Sequence, residues 1–222
     1  MSSSEPIYSE AEAARLLRVA QATLHYWLEG KSHRGHTYPP VIRVDATGDR
    51  ALTWEEFIEA AMLRQYRRVE NIPMRELRLA IDDLRNRFDC LYPLSRLRPW
   101  VDGGTLILRE VQERAGLPAE YCFVAAVGGQ LMLLPAAERF VRRVDWVGNA
   151  PGAWRPHDDA ASPVRIRPDL RFGRPSVAGV STEVVWEHLE ADESPDEVAE
   201  QFDLKVDQVR WAYAYETSQR AA

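Results

Sequence analysis

The side chains able to do chemistry in this sequence fall into two groups, neither built like a catalytic centre. The first is Gln21, Thr23, His25 and Tyr26, spaced along one side of a predicted helix, with Arg43 and Arg50 further on. Amide, hydroxyl, imidazole and phenol groups on a helix can meet base edges or phosphates, and guanidinium groups neutralise phosphate charge. These six are the candidate DNA-binding residues; a solvated helix face is the other reading open for each on the helix. The second group is Arg165, Arg167, Arg171 and Arg174. A guanidinium forks onto a carboxylate through two N–H bonds, so this cluster suits an acidic pocket on a partner. Ion pairs with the acidic helices that follow it in the same chain are the alternative.

Neither group points to an enzyme. The sequence has no P-loop, no dinucleotide-binding fingerprint and no nucleophile elbow. His33 with His36, and His157 with Asp158 and Asp159, offer too few ligands at fixed spacing for a metal centre. The pairs Gly103-Gly104 and Gly128-Gly129 read as turns. No cofactor is expected. Cys90 and Cys122 make no disulfide framework and read as buried thiols. No apolar run approaches membrane-spanning length, so the expectation is a cytoplasmic protein with no membrane partner. The net charge of −6 does not suggest a strongly cationic nucleic-acid binder, although only the local field at a binding face decides that.

The elements that would position these residues follow from caps and periodicity. Ser9-Glu10-Ala11-Glu12 opens a helix with Ala13, Ala14, Leu16 and Leu17 inward, and Gln21 to about Glu29 forms the next. Two short helices at this spacing make a helix-turn-helix candidate. Lys31 to Tyr38 reads as a polar loop. Val41-Ile42-Arg43-Val44 and Arg50-Ala51-Leu52 read as strands of a hairpin wing around Thr47-Gly48-Asp49. Thr53-Trp54-Glu55-Glu56 caps a long helix, Asn71-Ile72-Pro73 breaks it, and Met74 to Phe88 continues as another. Arg64, Arg67, Arg68, Arg75 and Arg78 run along these helices.

Between Leu91 and Trp146, Arg96–Trp100, Thr105–Leu108, Val124–Val127 and Gln130–Leu134 read as strands, and Pro135–Val144 as a short helix. Residues 148–163, rich in Gly, Pro and Asp, read as a linker. The last quarter begins with Gly173-Arg174-Pro175-Ser176-Val177-Ala178-Gly179 and continues with three helices. The first runs from about Thr182 to Ala191. The second is capped by Ser194-Pro195-Asp196-Glu197 and lined by Val198, Ala199 and Phe202. The third, from Val206 to about Ser218, places Val209, Ala212 and Tyr213 inward. From Glu183 to Asp203 there are nine acidic residues and no Lys or Arg, which would repel DNA. The expected fold is mainly α with small β elements (α+β). Three domains are expected: 1–90, a winged helix-turn-helix with long helices; 91–160, strand-rich with a linker; and 161–222, helical.

Two resemblances sharpen this. Gly173, Pro175, Val177, Gly179 and Val184, then Glu193-Ser194-Pro195-Asp196-Glu197-Val198-Ala199, resemble the DUF433 domain found in antitoxins of VapB type. Val180-Ser181-Thr182 departs from the family's usual Thr-Arg-Ile. Tyr8-Ser9-Glu10, Ala13-Ala14-Arg15-Leu16-Leu17 and Thr23-Leu24-His25-Tyr26-Trp27, with Leu52 to Ile58, resemble the N-terminal domain of MerR-type regulators. There Ala20 and His25 stand where serine and arginine are common. The resemblances imply a type II, VapBC-like antitoxin, a homodimer whose N-terminal part binds operator DNA. Its C-terminal part, through Arg165, Arg167, Arg171 and Arg174, would bind a PIN-like ribonuclease toxin whose carboxylates hold Mg²⁺ or Mn²⁺. A MerR-type transcriptional regulator with a ligand-sensing C-terminal region is the alternative.

Overall fold

A computed structural model describes residues 5–33, 35–69, 73–96, 124–127, 130–133, 140–148, 150–157 and 159–221. These residues form a mixed, α+β architecture of helices and two-stranded sheets, divided into two compact units. One unit holds residues 2–142 and 146–151, the other residues 143–145 and 152–222. None of the described helices is long and apolar enough to cross a membrane.

The first unit opens with strand β1 (Pro6–Ser9), antiparallel to β4 (Ala51–Thr53) in the register Tyr8↔Leu52 and Ser9↔Ala51. Helix α1 (Glu10–Leu16) follows at once because Ser9 Oγ accepts from Glu12 N–H at 3.2 Å, satisfying one of its orphan donors. Arg18, in the left-handed region at φ +50°, turns the chain into α2 (Gln21–Glu29). Helix α3 (Trp54–Arg64) starts in a complete capping box: Glu56 N–H donates to Thr53 Oγ1 and Thr53 N–H to Glu56 Oε2. It runs into a π-helical turn over Gln65–Val69. Helix α4 (Met74–Phe88) buries Leu77, Ile81 and Leu84, one apolar stripe at helical spacing. The core packs Tyr8, Leu17, Leu24, Trp27, Leu28, Leu52, Phe57 and Ile58, all at most 2% exposed. Each such side chain contributes about 1.5–3 kcal/mol by leaving water. Tyr8 and Trp54 both pack their rings against Phe57, with centroids 4.7 and 5.6 Å away.

The first hairpin of this unit is not where strand-like residue types put it. Strands β2 (Lys31–His33) and β3 (His36–Tyr38) pair in the segment expected to be a polar loop, with Lys31↔Tyr38 and His33↔His36 opposite each other. Val41 and Ile42, expected in a strand, are instead a buried plug. Both their N–H groups donate to Trp27 O, at 2.8 and 2.9 Å, and neither side chain is more than 1% exposed. Ala51 and Leu52 are in a strand, but its partner is β1 rather than residues 41–44. Gly30 makes the bend from α2 into β2 possible: at φ +74°, an added Cβ would lie 2.3 Å from Tyr38 O.

Strands β5 (Val124–Val127) and β6 (Gln130–Leu133) pair over four residues each, as expected. The expected strands Thr105–Leu108 and most of Arg96–Trp100 lie outside the described residues, as do Asn71, Ile72, Cys122 and the first half of Pro135–Val144. Cys90, expected to be buried, is only half-buried. The expected linker over 148–163 is built structure instead: β7 (Val144–Val147) is followed by β8 (Ala150–Trp154), with Ala153 and Trp154 buried. Trp154 and Ile166 exchange both backbone hydrogen bonds, at 2.8 and 2.9 Å.

In the second unit, Arg165 bridges Ser176 in the same way. Strands β9 (Ser176–Val177) and β10 (Val180–Ser181) close around Ala178 and Gly179, both at positive φ. Helix α5 (Thr182–Glu190) leads to α6 (Pro195–Phe202), whose capping box is complete: Glu197 N–H donates to Ser194 Oγ and Ser194 N–H to Glu197 Oε2. Asp203, at φ +53°, turns the chain into α7 (Val206–Arg220). Val177, Val185, Val198, Ala199, Val209 and Ala212 form the core, with Leu189, Phe202 and Leu204 packed against it. Tyr213, expected inward, is 37% exposed and donates to Glu190 Oε1, while Tyr215 and Glu216 are buried. At about 100° per residue Tyr213 and Tyr215 lie about 160° apart, so the face that buries Val209, Ala212 and Tyr215 turns Tyr213 outward.

Candidate nucleic-acid and partner interfaces

Helix α2 buries Leu24, Trp27 and Leu28, which leaves Gln21 exposed and Thr23, His25 and Tyr26 half-buried at the surface. Its N-cap, Ala20, supplies no side-chain bond. His25 is not simply solvated: its Nδ1 lies 2.8 Å from Oε1 of Glu10, a carboxylate only 1% exposed, and so clips α2 to α1. Arg50 lies 3.8 Å from the other Glu10 oxygen, with its side chain 74% exposed and open to a phosphate.

Arg43 has a different place. Its side chain is 7% exposed, and its guanidinium donates to Glu29, to Glu56 Oε1 at 2.8 Å and to Thr47 Oγ1 at 2.7 Å. It also donates to the carbonyls of Asp49 and Ala51. Burial works against charge on Glu29, but hydrogen bonds from Gly48 N–H and Arg43 hold its carboxyl below the ordinary range. Arg43 is therefore an internal clamp that ties the end of α2 and the loop 47–51 to the start of α3. It leaves the set of candidate phosphate contacts, because all its donors are directed inward.

A cluster that the sequence did not single out as a group lies beside α2. The Lys31 ammonium sits 4.9 Å from the Tyr26 ring centroid and 5.9 Å from that of Tyr38. Arg78 on α4 donates to Tyr26 Oη at 3.3 Å and to the carbonyls of Pro39 and Pro40, each at 2.6 Å. Two cations and two phenols, partly exposed, are a fitting set for a phosphate backbone. Lys31 and Arg78 were legible as basic residues. Their convergence was not, since it depends on the β2–β3 hairpin and on a contact 52 positions long.

The second unit carries the four arginines of the other group. Arg165 donates to Asp145 Oδ2 at 3.1 Å and to the carbonyls of Ser162 and Val164; burial is the main cause that lowers its pKa. Arg167 forks onto Asp169, at 3.1 and 2.6 Å, which holds that carboxyl below its ordinary range. Arg171 Nε donates to Gly179 O at 2.9 Å, and Arg174 lies 3.9 Å from Glu183. Of the four, only Arg174 meets one of the acidic helices. Arg167, Arg171 and Arg174 are exposed and Arg165 is half-buried.

Residues 164–215 match the family described as "Protein of unknown function (DUF433)", which spans β9 to α7 and the strand-like segment before them. The chain is also similar to a solved structure described as the X-ray crystal structure of Rv2018 from Mycobacterium tuberculosis. The TM-score is 0.74 at 25% identity, covering 94% of this chain and 97% of that one. A further relative is the uncharacterized protein Rv2308 of Mycobacterium tuberculosis, 30% identical over 223 residues, with 97% of this chain and 92% of that protein covered. The chain thus belongs to the same family as Rv2308 and carries a DUF433 domain in its second unit.

Proposed function

We propose that the chain is an antitoxin of a type II, VapBC-like system, which binds its own operator through a MerR-like winged helix-turn-helix and neutralises a PIN-like ribonuclease through its DUF433 half. The observation that carries this reading is the DUF433 match at residues 164–215 in a chain whose other end presents Tyr26, Lys31, Tyr38 and Arg78 together beside a two-helix unit. The charge pattern supports the division of labour: cations and phenols converge at α2, whereas α5 and α6 carry acidic side chains that DNA would repel. The wing in this reading is β2–β3. The DNA-facing residues are Gln21, Thr23, Tyr26, Lys31, Arg50 and Arg78, in a homodimer reading paired half-sites.

Operator binding and ribonuclease inhibition can be measured separately on one purified protein. Tyr26→Ala with Lys31→Ala should weaken binding to the promoter of its own operon and lower the slope of log affinity against log salt by about one. Inhibition of the ribonuclease encoded beside it should be unchanged. Absence of promoter binding at low salt, with and without the ribonuclease, would remove the DNA half of the reading. Failure of the wild-type chain to inhibit that enzyme would remove the antitoxin half, and promoter binding that responds to a small effector would favour a MerR-type regulator.

A further inference from the structure

The backbone turns through three successive left-handed residues at Arg171, Phe172 and Gly173, with φ of 51°, 55° and 73°. Glycine adopts that region without cost, but arginine and phenylalanine do so against a steric penalty at Cβ. Nothing inside the unit repays the phenylalanine, because Phe172 is 82% exposed, more than any other large apolar side chain among the described residues. The turn is nonetheless tightly held. Gly173 N–H donates to Leu170 O at 3.0 Å, Arg174 N–H to Arg171 O at 3.1 Å, and Arg171 Nε to Gly179 O at 2.9 Å. An aromatic ring is thus fixed outward on a pinned, strained turn, with exposed arginines on both sides of it. Strain kept at a surface position, where a polar residue would cost less, marks a site selected for what it meets outside. Pre-ordering also lowers the entropy lost on binding, and a rigid aromatic is a favoured anchor at protein interfaces.

We propose that Arg171–Phe172–Gly173–Arg174 is a docking knob for a partner protein. Its phenyl ring enters an apolar pocket whose rim carries carboxylates, and Arg171 and Arg174 pair with that rim. This deepens the antitoxin reading and rests on it, the partner being the carboxylate-rich ribonuclease. The positive charge of the flanking residues fits an acidic rim; a nucleic acid could stack a base on the ring, but the nine acidic residues from Glu183 to Asp203 in the same unit would repel its phosphates.

The test titrates the ribonuclease encoded beside the chain with full-length protein carrying Phe172→Ala, Phe172→Trp, Phe172→Gly or Arg171→Ala with Arg174→Ala. Thermal melting and sedimentation of each free variant are followed in parallel. Phe172→Ala should raise the concentration for half-inhibition at least about ten-fold, and Phe172→Trp should retain most of the inhibition. Phe172→Gly should lose inhibition while melting a few degrees higher, roughly as relief of one strained residue predicts. A ring needed for the fold would lower the melting temperature instead, and that result overturns the proposal. Wild-type inhibition that Phe172→Ala leaves unchanged removes the knob but leaves the antitoxin reading in place. No inhibition by the wild type removes both. A wild-type dimer that Phe172→Ala splits into monomers would make a second copy the occupant, and also overturns it.

Discussion

Arg43 in the first unit and Arg171 in the second carry the same guanidinium under opposite conditions. Arg43 is enclosed, facing two carboxylates whose side chains are themselves under a tenth exposed, and every donor points inward. Arg171 stands at the surface with one carbonyl as its partner. The first fixes the end of α2 to α3; the second leaves most of its donors to solvent or to a partner. Residue type therefore decided neither role: burial and the spacing of carboxylates did.

The largest effect should come from breaking the enclosed side. Arg43→Ala leaves Glu29 and Glu56 facing each other with little water. It should lower the free energy of unfolding by about 3–5 kcal/mol, read from urea denaturation. An Arg43→Ala protein as stable as the wild type would erase the distinction between the two regions.

Glu59, on the same helix as Glu56, sharpens the contrast within the first unit. It is fully buried without a guanidinium hydrogen bond among the described residues, and burial raises its pKa to about 8, although Ser95 N–H donates to it at 2.6 Å. The folded chain holds a proton there that the unfolded chain releases above the ordinary value of 4.5. This contribution to stability is complete below that value and is lost as pH rises through about 8. Glu59→Gln should flatten the fall in urea midpoint between about pH 5 and 8. A wild-type midpoint that is level across this range would show that the carboxyl is ionised in the fold.

The smallest effect belongs to the exposed side. Arg167→Ala breaks a bidentate pair in which both side chains are about half exposed, and should cost less than about 0.5 kcal/mol. A cost comparable to that of Arg43→Ala would mean that surface and interior pairs are not separated in this fold.

Much of the scaffold was legible because it is written locally. Thr53 with Glu56 and Ser194 with Glu197 satisfy helix donors three residues away, and α3 and α6 begin where those pairs stand. The hairpin lies elsewhere than expected because Val41-Ile42 carries strand-like residue types, while the segment that does pair, Lys31–His33 with His36–Tyr38, is polar and edge-like. What made 41–42 a plug is Trp27 O, which takes both their N–H groups, and nothing near them in sequence says so. The expectation of Arg43 as a DNA-binding residue fails for a similar reason. Its carboxylates lie 14 residues before it and 13 after it. In the second unit the helices were read to within about two residues, but the φ angles that push Phe172 outward have no signature in residue type, glycine aside.

Gly30 carries a consequence for genetics. Every amino acid reachable from a glycine codon by one base change has a Cβ, and a Cβ here runs into the main chain at Tyr38 and Pro39, which cannot step aside as a side chain would. Position 30 thus has no conservative neighbour in the code. Missense alleles there are expected to disable the first half of the protein while encoding the DUF433 half unaltered, which would let an organism's phenotype report on the two halves one at a time.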